Sequence, residues 1–106
     1  MTTVLLRDVA VVRSGDKGNH ANIGVVAKSV DDFEWLRRTV TAERVASYFI
    51  AMGARRVERF ELPLIYGFNF LLYDVLDGGA SRSLRFDTQG KLLGTALGEL
   101  KLDRET

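Results

Sequence analysis

A chain of 106 residues that is 46% hydrophobic and 9% aromatic fits one domain, residues 1–106, with a core that needs no metal or disulfide staple. The absence of cysteine fits a reducing, cytoplasmic setting, and the N-terminus, Met1 to Asp8, lacks the basic leader and apolar run of a signal peptide or anchor. The net charge is only +1 with both signs interleaved, and no run approaches the ~18 apolar residues of a membrane span, so neither nucleic acid nor a bilayer is expected as a partner.

Val4 to Arg13 reads as a strand with Leu5, Val9 and Val11 on one face, Arg13 at the loop edge and Arg7-Asp8 as a bulge. The stretch Ser14 to Asn22 then reads as an elaborate polar loop. Ile23, Val25 and Ala27 alternate with Gly24, Val26 and Lys28, which predicts the second strand of a hairpin around that loop. Two helices follow. Asp31 with Glu34 makes a capping box, Phe33, Leu36 and Val40 share the buried face, and Trp35 lies off it. Thr41 caps the second helix, whose stripe is Val45, Phe49 and Met52 widened by Ile50, and Gly53 ends it in a left-handed conformation.

Arg55 to Leu62 carries charge on both faces, as an edge strand does, and Pro63 ends it. Phe68 to Leu76 sets Phe68, Phe70, Leu72 and Leu76 against Leu71, Tyr73 and Val75, which predicts burial on both faces in a central strand or under another subunit. Asp77 to Arg82 is a glycine-rich turn, Ser83 to Asp87 a short strand, and Leu92, Leu93, Ala96, Leu97 and Leu100 a helical stripe. Asp103 to Thr106 reads as a frayed tail. Hairpins beside segregated helices predict a two-layer α+β sandwich with a mainly antiparallel sheet and the helices on one face.

The chemistry concentrates in Ser14-Gly15-Asp16-Lys17-Gly18-Asn19-His20-Ala21-Asn22, which holds the one histidine of the chain. Its glycines can let backbone N–H groups converge on an anion or carboxylate, with Arg13, Ser14, Lys17, Asn19 and Asn22 around it. The Walker pattern is not met, and a strand rather than a helix follows. The competing reading is a loop that satisfies itself, with Asp16, Asn19 and Asn22 in Asx turns. His20 can act as a general base if Asp16 or Asp77 orients it. The spacing matches neither an EF-hand nor a zinc motif, so no metal and no cofactor is expected. Asn69 needs partners inside a strand, either a structural network or a ligand. Asp77 and Arg82 flank a double glycine, as a local ion pair or as a second wall of the site. Arg37-Arg38 and Arg55-Arg56 read as solvated faces.

Taken together, Arg13 through Gly24, Thr41-Ala42-Glu43-Arg44-Val45, Glu61-Leu62-Pro63, Asn69-Phe70 and Leu76-Asp77-Gly78-Gly79 resemble, in the same order, the C-terminal domain of the AtuA-like, acyclic terpene utilisation family. The resemblance runs from about Leu5 to Leu100 and implies a ferredoxin-like sandwich. It also implies a bacterial setting in the breakdown of branched or terpene-derived acyl-CoA compounds. In long members the domain follows a much larger region, and the position of His20 is often a small hydroxyl residue. The resemblance therefore implies a small stand-alone subunit or binding module that acts with a separately encoded large AtuA-like protein. Two other readings stay open: a self-sufficient, homo-oligomeric lyase, hydratase or isomerase on acyl substrates, and a structural dimerisation domain. Whether the chain is itself an enzyme is undecided at this level. In each case it is expected not to be a monomer, because its apolar surface exceeds what one helical layer covers.

Overall fold

Alternation in the hairpin segments is what builds the sheet. In the computed structural model, which describes residues 2–17, 20–73, 75 and 91–105, strand β1 (Thr2–Leu5) leads through a one-turn helix α1 (Leu6–Val9) into β2 (Ala10–Lys17) and β3 (His20–Ala27). Helices α2 (Val30–Thr39) and α3 (Ala42–Tyr48) come next, then β4 (Val57–Leu62), β5 (Gly67–Leu72), α4 (Lys91–Gly98) and β6 (Lys101–Arg104). The main sheet has the order β2-β3-β5-β4 with every pair antiparallel, and β1 pairs with β6 in a second, two-stranded sheet. This is an α+β architecture of antiparallel sheets and helices, as expected.

The register sets Ala21 against Leu72, Ile23 against Phe70 and Val25 against Phe68, so one face of the sheet is continuous apolar surface. Phe33, Leu36, Val40, Val45, Phe49, Leu93 and Leu97 of the helices close over it, and Phe33 stacks on Phe68 at 5.0 Å. Each such side chain contributes roughly 1.5–3 kcal/mol when fully withdrawn from water.

Several local expectations are corrected. Arg7-Asp8 is not a bulge in one long strand. Leu6 and Val9 bury together three residues apart, and the Asp8 carboxylate accepts the Leu5 N–H at 2.9 Å, which closes a helical turn. The chain thereby leaves one sheet and enters another. Asp103 and Arg104 of the tail are not frayed either: β6 pairs with β1, and Arg104 bonds the Asp32 carboxylate at 2.6 Å while lying 4.4 Å over the Trp35 ring. Ser29 rather than Asp31 caps α2, its hydroxyl accepting from the Asp32 N–H at 3.1 Å. Thr41 caps α3 as expected. Ile50 does not widen the buried stripe: the chain tightens to a 3-10 turn over Ile50–Met52, which rotates it outward to 69% exposure. Gly53, at φ 88°, closes that turn.

Among the described strands β4 does lie at the edge and β5 between two neighbours. Only one face of β5 is fully buried, however. Phe68, Phe70 and Leu72 are covered, while Asn69, Leu71 and Tyr73 are half-buried on the other side, since the described helices α2, α3 and α4 pack on the first face. Leu76, the Asp77–Arg82 turn and the strand expected over Ser83–Asp87 lie outside the described residues.

Candidate functional site

The polar stretch is not an elaborate loop. Strand β2 continues to Lys17 and β3 begins at His20, with Gly15 opposite Asn22 and Lys17 opposite His20, so only residues 18 and 19 lie between them. A pleated ribbon sends alternate residues to opposite faces, and this divides the stretch in two. Ser14 and Asp16 are on the helix side. Arg13, His20 and Asn22 are on the open side, together with Asn69 of β5.

On the helix side Ser14 meets α4. Its Oγ accepts the Gly94 N–H at 2.6 Å and so ties α4 to β2. Asp16 is exposed near the end of β2. Because it faces away from His20, it does not orient that imidazole. His20 instead packs edge-on against Tyr73, with ring centroids 5.0 Å apart. Asn19, Asp77 and Arg82 lie outside the described residues, as does the side chain of Lys17.

The open face reads as rows across the strands. Arg13, Gly24, Asn69 and Phe60 form one, and Val11, Val26, Gly67 and Leu62 the next. Asn22 Nδ2 donates to Asn69 Oδ1 at 3.4 Å, so the two amides meet diagonally in the middle. Gly24 leaves a gap between Arg13 and Asn69: a Cβ there would meet only the Arg13 carbonyl oxygen, at 3.8 Å. Arg13 is exposed and has no ion pair among the described residues. The apolar residues are open as well, Val11 at 50%, Phe60 at 45% and Leu62 at 42%.

At the other end of the face is a group missed in the sequence. The Tyr73 hydroxyl donates to Glu58 Oε1 at 2.8 Å, and Arg56 Nη2 reaches the same oxygen at 2.7 Å while its guanidinium lies 4.1 Å over the Tyr73 ring. Cross-strand register brings these residues together, and local periodicity carries no sign of it. The hydrogen bond from Tyr73, then the one from Arg56, holds the Glu58 carboxyl below its ordinary range. The bond to Glu58 in turn raises the Tyr73 phenol.

The signs of the pH dependence follow. The stability from Glu58 is present above the ordinary carboxylate range and is lost as pH falls through its lowered value. That from Tyr73 is present below the ordinary phenol range and is lost as pH rises through its raised one. Tyr73→Phe should therefore move the Glu58 titration, followed by carboxyl-carbon NMR, back up toward the ordinary range. A Glu58 titration unchanged in that variant would show that the hydroxyl does not reach the carboxylate in solution.

Among the described residues no group of three or more His, Cys, Asp and Glu is placed to hold a metal ion, and no helix is long and apolar enough to cross a membrane. A family model for the AtuA ferredoxin-like domain matches residues 4–103, and the chain belongs to that family. No curated protein and no solved structure matches it.

Proposed function

We propose that this AtuA ferredoxin-like domain is a small binding subunit that presents the open face of its sheet to a separately encoded large AtuA-like partner, in the bacterial breakdown of branched or terpene-derived acyl-CoA compounds. The observation that carries this reading is the composition of that face. A polar centre of Arg13, Asn22 and Asn69 is framed by exposed Val11, Val26, Phe60 and Leu62. Apolar side chains without a cover gain by burial against a second protein, and the polar centre can orient that protein or a carboxylate held between the two.

The reading of a self-sufficient enzyme draws on the Glu58–Tyr73–His20 group. Proton transfer near neutrality favours groups that titrate there, whereas the bond between Glu58 and Tyr73 drives the first down and the second up. Those opposite shifts support a structural clamp in preference to an acid and a base.

Co-expression with the large protein and affinity capture tests the proposal. Arg13→Glu and Val26→Asp should abolish capture at an unchanged melting temperature. Ser14→Ala, on the helix side, should lower the melt by the loss of its bond to Gly94, ~1 kcal/mol, with binding per folded molecule intact. Asp16→Asn should change neither. Wild-type capture by both open-face variants would refute the assignment of that face.

A further inference from the structure

We propose that two copies of this chain join edge to edge along β4, in the register that sets Phe60 of one copy against Phe60 of the other. Among the described residues strand β4 is bonded on one side only, by β5. The Tyr73 N–H donates to the Arg56 carbonyl at 3.0 Å, so the even-numbered residues of this segment turn their backbone groups toward β5. By the alternation of an antiparallel ladder, Val57, Arg59 and Glu61 turn theirs outward. Among the described residues nothing pairs with those outward groups. An edge of this kind is a template for another strand.

Charge complementarity identifies the occupant as the same strand, reversed about a twofold axis. Outward groups bond across such an axis only when odd-numbered residues face odd-numbered ones. The registers that keep the strand paired are then centred on Glu58, Arg59, Phe60 or Glu61. All but one set like charges face to face on the axis, which is unfavourable for directly opposed residues. In the Phe60-centred register, Arg59 of each copy, already 3.3 Å from Glu61 of its own chain, stands opposite Glu61 of the other, so the charges alternate across the axis, and the two phenyl rings, 45% exposed in the single chain, meet on the open face. Pro63, which has no N–H to give, falls opposite Val57, where the ladder ends. The same register carries Leu64, 97% exposed, toward the start of the other copy's β4, where Ile50 is exposed beside Ala51 and Ala54. The contact is isologous and closes on itself. It covers Phe60 of the open face but leaves Val11, Val26, Arg13, Asn22 and Asn69 uncovered and aligns the two open faces in one continuous sheet, so loss of the dimer with capture of the larger partner retained, or the reverse, tells the two contacts apart.

The chain has no cysteine, so Phe60→Cys introduces one thiol per copy. Opposed residues of a non-hydrogen-bonded antiparallel pair hold their Cα atoms ~4.5 Å apart, within reach of a disulfide. Oxidised with copper phenanthroline at low micromolar concentration, Phe60→Cys should run almost wholly as a disulfide-linked dimer, and Leu62→Cys should not. Light scattering of the unmodified chain should give twice its 11.8 kDa mass. Phe60→Asp, which sets two carboxylates on the axis, should raise the dimer dissociation constant at least about tenfold with an unchanged circular dichroism spectrum. A monomer at high micromolar concentration overturns the proposal. So does a dimer that tolerates Phe60→Asp, or cross-linking through Leu62→Cys in place of Phe60→Cys, either of which places the contact elsewhere.

Discussion

Replacing Gly94 with alanine should destabilise the protein, although the same change in an exposed helix stabilises by ~1 kcal/mol. A Cβ at Gly94 would stand 2.9 Å from both the nitrogen and the Oγ of Ser14 and 3.0 Å from the Arg13 carbonyl carbon. Two of those three atoms are backbone of a central part of β2, which cannot rotate away. The helix would have to lift, and in lifting it would stretch the 2.6 Å bond from the Gly94 N–H to Ser14. Overpacking of this kind costs ~1–3 kcal/mol and is felt along the whole contact between α4 and β2. The net expectation is a loss of about 1–2 kcal/mol for alanine, or a melting point lower by roughly 5–15 °C in a chain of this size. Valine should be worse. Urea or thermal denaturation measures it, and an alanine variant more stable than the parent would mean that α4 does not approach β2 so closely.

A larger loss is expected for Arg59→Leu. Charge on an edge strand suggests a solvated side chain, yet this one is 18% exposed. Its Nη1 donates to the carbonyls of Arg37 and Val40, at 2.8 Å each, and its guanidinium lies 5.1 Å over the Phe68 ring. These carbonyls belong to the end of α2, where the helix cannot satisfy them itself. Hydrogen bonds from a charged donor contribute ~1.5–3 kcal/mol each, and a leucine would leave the part-buried Val40 carbonyl without its donor while water can reach the exposed one of Arg37. The expected cost is about 2–4 kcal/mol by the same measure, with Arg59→Lys in between because an ammonium can reach only part of the set. Denaturation at low protein concentration keeps this effect apart from self-association through Glu61. A leucine variant within ~0.5 kcal/mol of the parent, the range of ordinary surface changes, would return Arg59 to the solvated edge.

Both residues show where local reading stops. Alternation from Ile23 to Ala27 was enough to find that strand and its core face, because burial imposes a period of two whatever the partner is, whereas Phe68 to Leu72 was found as a strand but read as buried on both faces. The charged pattern of Val57 to Leu62 was enough to place it at an edge. Thr41 and Gly53 marked a helix start and a turn end, since a cap bonds within three residues of itself and a positive φ is a property of one residue. The motifs from Arg13 to Gly79 were enough for the family.

The site was legible in composition and not in shape. Ser14, Asp16, His20 and Asn22 stand within nine residues, so they read as one loop. A ladder only two residues short of closure sends them to opposite faces instead, Ser14 to hold Gly94 and Asn22 to meet Asn69. The Glu58–Tyr73–Arg56 clamp and the seat of Arg104 on Trp35 were likewise hidden. What this sequence determines by itself is the set of facts that a residue's own dihedrals and near neighbours impose: which segments extend, which coil, which face turns inward. Which residue stands across the sheet from which is decided only when the strands come into register, because a partner such as Gly94, 80 positions from Ser14, leaves no period in the chain between them.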